Sequence, residues 1–235
     1  MQLVIFDIDG TLTQTTRIDE LCFLRALAEE FGITAINTNW LDYAYSTDSG
    51  IALQILQEQW VRCPSSDELL RFQHRFVHLL MESCAQSPDA FIEVPGATAA
   101  FRRLREETNW TVAIATGGWR ASALFKLSRI GIDAQQVPAA FADDSPLREE
   151  IVQTALSRAA SLNGNEPFQR VVYVGDAVWD VRTAQQLGLA FLGVQAEAQS
   201  IVLRNEGAAE VLEDFTHFDR FLRALEEASV PARGH

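Results

Sequence analysis

Two pairs of aspartates, each closing a short apolar run, are the side chains here whose types and spacing most plainly suit chemistry. The first lies in Asp7-Ile8-Asp9-Gly10-Thr11-Leu12-Thr13. If Leu3 to Ile8 is a strand, its period of two sends Asp7 and Asp9 toward the same side at the carboxyl end, so both acids face one crevice. Two unpaired carboxylates side by side repel and are costly to desolvate, so such a pair implies a metal or a shared proton. Gly10 suits a tight backbone exit there. The second pair, in Val174-Gly175-Asp176-Ala177-Val178-Trp179-Asp180, is spaced by one helical turn. A helix beginning inside that turn would face Asp176 and Asp180 into one crevice, and hard oxygen donors of this kind suit Mg²⁺. The plainer alternative for both pairs is turn, capping and helix-dipole duty. A third segment, Ala115-Thr116-Gly117-Gly118-Trp119, offers a hydroxyl and free backbone N–H groups at a strand-to-helix turn, the composition of an anion cradle. By itself a Thr-Gly-Gly turn also serves geometry alone.

Each segment needs a strand to present it, and the apolar runs supply one: Leu3 to Ile8, Thr111 to Thr116, Val171 to Gly175 and Ala190 to Val194, with a weaker run from Pro138 to Ala142. Helical patterns fall between the later runs, as in Ala97, Ala100, Phe101 and Leu104. Strand and helix alternate, which predicts an α/β fold with a doubly wound parallel sheet. Residues 14–89 break the rhythm with helical patterns around Leu21 to Phe31, Ile51 to Trp60 and Leu69 to Met81, too long a stretch for a loop. The expected organisation is an α/β core of residues 1–13 and 90–235 with an inserted helical domain, 14–89, over the carboxyl ends of the strands. A last helix carrying Phe215, Phe218, Phe221, Leu222 and Leu225 should pack on the sheet.

In this order, each at a strand end, the three segments resemble the haloacid dehalogenase superfamily of aspartate-nucleophile phosphotransferases, over most of the chain. Asp-x-Asp-Gly-Thr is the most specific of the motifs. The resemblance implies a Rossmann-like core with a helical cap and a phosphatase, of the phosphoglycolate phosphatase-like type, hydrolysing a small-molecule phosphate monoester through an aspartyl-phosphate. In those terms Asp7 attacks phosphorus, Asp9 protonates the leaving group, Thr116 and Gly117 hold phosphate, and Mg²⁺ is held by Asp7, Asp9, Asp176 and, more distantly, Asp180. The family usually carries a lysine near the start of a later helix, whereas the one lysine here is Lys126. Arg148, in Ser145-Pro146-Leu147-Arg148, is the better candidate for that cation, with Lys126 and Arg120 as alternatives. A phosphomutase of sugar phosphates or a catalytically silent binding subunit would share these motifs. Trp119 and Trp179 flank motif residues and either wall the pocket or pack beside it.

Composition narrows the partners. With 19 basic against 32 acidic residues the formal net charge is −13, and no basic cluster offsets it, so nucleic acid and anionic membranes are poor partners. Residues 14–89 alone hold five arginines against eleven acids. Cys22, Cys63 and Cys84 show no pairing or ligand spacing and read as buried small hydrophobes in a reducing compartment. Without a leader-like start or a membrane-length apolar stretch, a cytoplasmic protein is expected, as a monomer or homodimer. Which phosphate ester it acts on is not legible in the motifs.

Overall fold

The computed structural model describes residues 1–60 and 62–232. Its strands are β1 (Gln2–Phe6), β2 (Trp110–Ala115), β3 (Ala139–Ala140), β4 (Arg170–Gly175), β5 (Ala190–Val194) and β6 (Glu210–Leu212). Its α-helices are α1 (Thr16–Phe31), α2 (Asp48–Trp60), α3 (Ser66–Gln86), α4 (Ala97–Glu107), α5 (Arg120–Arg129), α6 (Arg148–Leu162), α7 (Val178–Leu187), α8 (Glu197–Asn205) and α9 (Phe218–Glu227). The strands form one parallel sheet in the order β3-β2-β1-β4-β5-β6, the doubly wound α/β arrangement that alternation predicted. Phe6 of β1 sits in register with Ile114 of β2 and Val174 of β4, so the ends of the three central strands lie level.

β1 is apolar throughout because both its faces are covered. Val4 and Phe6 join Phe101, Leu127 and Phe221 under α4, α5 and α9. Leu3 and Ile5 join Ile151, Val152 and Val181 under α6 and α7. Phe215 precedes the last helix instead of belonging to it, yet its ring packs edge-on against Phe221, centroids 5.0 Å apart. The run at Pro138 to Ala142 pairs in register only through Ala139 and Ala140; past them the Ala142 N–H donates to the Gly118 carbonyl in the turn after β2 instead of continuing the ladder. β6 has too few apolar residues to register as a strand in sequence.

Between β1 and α4 the chain forms α1, α2 and α3 without a strand, and these helices bury Phe23, Ile55, Phe72 and Phe76 in a cluster of their own. Gly32 ends α1 with a left-handed φ of 68°. At Ser65 a capping box starts α3: Ser65 Oγ accepts from the Glu68 N–H and the Glu68 carboxylate accepts from the Ser65 N–H. Where the segment leaves and rejoins the core, Thr13 bridges Glu93 and the Gln14 N–H donates to the Ile92 carbonyl. Trp119, from the turn after β2, inserts into the helical cluster, stacking on Phe23 and meeting Phe72 edge-on. Cys22 and Cys84 are buried as expected, but Cys63 is exposed, because it lies between α2 and α3 instead of on a packed helix face. Among the described residues no helix is long and apolar enough to cross a membrane.

Candidate active site

From β1 the chain builds outward through β2 to β3 on one side and returns as β4 to β6 on the other, so the strand order reverses between β1 and β4. A crevice opens at the carboxyl ends of strands where that happens. Asp7, Asp176 and Thr116 are the first residues past β1, β4 and β2, and therefore all stand at its rim. One oxygen each from Asp7, Asp176 and Asp180 lie within 4.8 Å of one another. Asp7 is 3% exposed and Asp180 fully buried. Gly10 passes the trio at φ +83°, and a Cβ there would run into the Asp176 carboxylate.

The trio's electrostatics follow from that burial. Desolvation, followed by repulsion from Asp180, pushes the Asp7 carboxyl from its ordinary 3.8 up to about 7, against the pull of Arg148. Asp176 is raised well above the carboxylate range by burial and by Asp180 and Asp7. Asp180 is anchored by hydrogen bonds from Tyr173 Oη at 2.8 Å, Arg148 Nη1 at 2.8 Å and the Ala177 N–H at 3.1 Å. Asp7 and Asp176 carry fewer protein donors, so three crowded carboxylates share one cation. A hard divalent ion with oxygen preference fits that donor set and that deficit.

Arg148, the first residue of α6, reaches into the trio. Its Nη1 lies 3.4 Å from Asp7 Oδ1 and 3.3 Å from Tyr173 Oη in addition to its bond to Asp180. Ser46, from the loop before α2, fixes the guanidinium from the other side: Nε donates to Ser46 Oγ at 3.2 Å and Nη2 to the Ser46 carbonyl at 2.9 Å. Burial alone would lower Arg148, but Asp180, Tyr173 and Asp7 outweigh it and hold the group above its ordinary value. Gly117 must be small, since a Cβ would strike the Arg148 guanidinium and lie 2.7 Å from the Ser46 carbonyl. Beside it Thr116 Oγ1 accepts from the Gly118 N–H at 3.2 Å, leaving its hydroxyl proton free for a ligand oxygen.

The Asp9 carboxylate does not join the trio. Its Oδ1 accepts from Thr15 Oγ1 and its Oδ2 from Lys126 Nζ, each at 2.5 Å. The same ammonium reaches Asp19 of α1 at 2.5 Å. Burial pushes Asp19 up to about 6 despite that partner, because Asp9 competes for the ammonium. Burial would lower Lys126, yet Asp19, Asp9 and Asp48 together raise it. Lys126 thus serves Asp9 and Arg148 serves Asp7; they occupy different places in the site. Arg120, the other alternative, lies over the Phe141 ring.

A cavity of about 180 Å³ joins these groups, walled by Asp7, Asp9, Thr116, Gly118 and Arg148 from the core and by Asp19, Glu20, Phe23, Trp40 and Asp48 from the helical segment. Trp179 lines it; Trp119 is packed beneath, its Nε1 donating to Ser49 Oγ at 2.7 Å. Residues 46–49, which carried no sequence signal beyond a polar run before a helix, tie the segment to the core. The Asp48 N–H donates to the Gly117 carbonyl and its Oδ2 accepts from the Trp119 N–H at 3.0 Å; Thr47 and Ser49 hydroxyls donate to the carbonyls of Pro146 and Ala142. Lys126 stands on the buried face of α5 with Ser122, Ala123 and Leu127.

The family model of haloacid dehalogenase-like hydrolases matches residues 1–188. A phosphoglycolate phosphatase of Cereibacter sphaeroides is 32% identical over 203 residues, covering 80% of this chain and 82% of the relative. Among solved structures, a hydrolase from Pseudomonas syringae superposes with a TM-score of 0.70 at 21% identity, covering 95% of this chain and 98% of that one. A β-phosphoglucomutase from Clostridium difficile does so with a TM-score of 0.70 at 17% identity, covering 97% and 98%. At these identities the two structures speak for the fold alone.

Proposed function

Because the chain belongs to the haloacid dehalogenase-like hydrolases, and is a phosphatase-type member of them, we propose that it hydrolyses small phosphate monoesters with Asp7 as covalent nucleophile and Mg²⁺ as cofactor. The observation that carries this reading is the convergence of Asp7, Asp176 and Asp180 within 4.8 Å under a single guanidinium, at the switch point of the sheet.

In the first step an Asp7 oxygen bonds to phosphorus as the ester P–O bond breaks, and Asp9 gives its proton to the departing alkoxide. In the second, Asp9 takes a proton from water, the water oxygen bonds to phosphorus, and the Asp7–phosphorus bond breaks to release phosphate. Arg148 orients Asp7 and neutralises charge on the transferring group. The Thr116 hydroxyl and the Gly117 N–H would hold phosphate oxygens; the N–H groups of Gly118, Trp119 and Arg120 are taken by Thr116 Oγ1, Asp48 Oδ2 and Asp143 Oδ2. Asp7 and Asp176, steadied by Asp180, would hold Mg²⁺, which when bound supplies Lewis-acid stabilisation of phosphoryl charge. Residues 14–89 act as the cap, since their side chains close the cavity away from the sheet. A phosphomutase of sugar phosphates would share the motifs, and the β-phosphoglucomutase likeness at 17% identity speaks for the fold alone.

Hydrolysis of p-nitrophenyl phosphate with Mg²⁺, loss of that turnover with a chelator, and a phosphoenzyme seen by mass spectrometry in wild type but not in Asp7→Asn constitute the test. Turnover by Asp7→Asn would sink the mechanism.

A further inference from the structure

The wall of the cavity opposite the nucleophile is acidic in a way that hydrolysis of a phosphate ester does not require. Beyond Asp7, Asp9 and Asp176, the helical segment contributes Asp19, Glu20 and Asp48, and among the described residues the one cation lining the space is Arg148. Arg148 is committed to Asp7, Asp180 and Ser46. Lys126, whose side chain is fully covered, is committed to Asp9 and Asp19. Asp48 and Glu20 have no ion-pair partner within 4.0 Å among the described residues. The single ammonium of Lys126 is shared by two carboxylates, those of Asp9 and Asp19, while among the described residues Asp48 Oδ2 has only the Trp119 N–H.

Position says what would meet this wall. A point one carbon out from Gly118 lies 3.7 Å from Asp9 Oδ2, 3.7 Å from Thr116 Oγ1 and 3.8 Å from Asp48 Oδ2. Asp48 therefore borders both the acid that faces the leaving group and the hydroxyl assigned to phosphate. A short alcohol leaving past Asp9 reaches it. On the same wall stands Trp40, edge-to-face at 6.0 Å with Phe23, whose ring is stacked on Trp119; the Trp40 ring is a surface that also favours a cation. A carboxylate-bearing alcohol would meet acids there and no free positive group.

We propose that the leaving group of the substrate carries a cationic amine, received by Asp48 and Glu20 beside Trp40, so that the preferred ester is the phosphate of a short amino alcohol. The inference rests on the phosphatase reading above and sets this chain apart from the carboxylate-bearing ester in the names of its relatives. The bound amine donates to the Asp48 carboxylate, adding the positive charge that the Asp9, Asp19 and Asp48 group lacks.

Three esters of equal length separate the possibilities: aminoethyl phosphate, hydroxyethyl phosphate and phosphoglycolate, compared by kcat/KM with the Mg²⁺-loaded full chain. The amine ester should exceed phosphoglycolate by about tenfold or more, the equivalent of one charge-assisted hydrogen bond. In Asp48→Asn and Glu20→Gln the ratio of amine to hydroxyl ester should fall toward one, the Asn still accepting from the Trp119 N–H. Equal rates for the three esters, or a preference for phosphoglycolate, would overturn the inference while leaving the phosphatase intact. Failure to hydrolyse these esters and p-nitrophenyl phosphate alike would overturn the phosphatase reading itself. If neither variant folds, the wild-type ratio decides alone.

Discussion

Lys126 Nζ lies 2.5 Å from Asp9 Oδ2 and spans 117 residues of sequence to reach it, while the same ammonium clasps Asp19 at 2.5 Å. One lysine thereby joins the acid two residues after Asp7 to the first helix of the inserted segment, in a position with no side-chain exposure. Removing one member of such a buried group leaves uncompensated charge, which costs more than the intact pair contributes. We expect Lys126→Met to lose about 3–5 kcal/mol in denaturant unfolding. Adding Asp19→Asn should restore part of that loss, because one orphaned carboxylate disappears. A Lys126→Met protein as stable as wild type would show that the clasp carries no weight.

Asp9 is assigned to both proton transfers, so its loss should be felt twice. Asp9→Asn should lower kcat by roughly 10²–10⁴, the usual range for a positioned acid or base. The loss should be smaller in the first step for an aryl ester, whose leaving group needs little protonation, and full in release of phosphate. A burst followed by slow turnover in stopped-flow is the expected trace; an unchanged steady-state rate would remove Asp9 from the mechanism.

Gly10→Ala probes the crevice from the backbone side. The substitution meets a left-handed φ of +83° and drives a methyl group into the Asp176 carboxylate. Backbone strain of this kind costs about 1–3 kcal/mol. Turnover should drop further than stability does, since the displaced group is one of the trio. Mg²⁺ affinity read by calorimetry should weaken in parallel, and unaltered affinity would place Asp176 outside the metal site.

Stability should depend on pH with a sign set by the buried acids. Asp7 titrates near 7 and Asp19 near 6 in the folded chain, both raised chiefly by burial, against 3.8 ordinarily. Between those values the folded state binds more protons than the unfolded one, so stability is greatest below about pH 4 on this account and falls as pH rises toward 7. Thermal unfolding of metal-free protein should give a lower Tm at about pH 8 than at about pH 5. Saturating Mg²⁺ should raise the Tm most at the higher pH, where the carboxylates are ionised, by roughly 2.7 kcal/mol of stability at a hundredfold excess over Kd. A Tm independent of both would refute the crowded-carboxylate account.

Much of this was legible before any tertiary structure. The sheet was, because strands buried on both faces must be continuously apolar, and β1, β2, β4 and β5 are; β3 and β6 escaped since two or three paired residues leave no run to read. Asp7, Thr116 and Asp176 could be named because each directly follows such a strand, where local geometry alone sends a side chain to the rim. Arg148 was reached through the resemblance, as the cation at a predicted helix start in a chain whose one lysine is Lys126. What only the tertiary structure decided were the partners. Asp9 faces Lys126 and Thr15 instead of the trio, Ser46 anchors Arg148 across 102 residues, and Asp48 comes to stand beside Thr116. Helical periodicity tells which face of α1 or α2 is buried but not which residue of a distant element lies against it, and the cavity is made by contacts between distant elements. Sequence therefore determined which residues stand at the strand ends, and packing of the helical segment onto those ends determined what surrounds them.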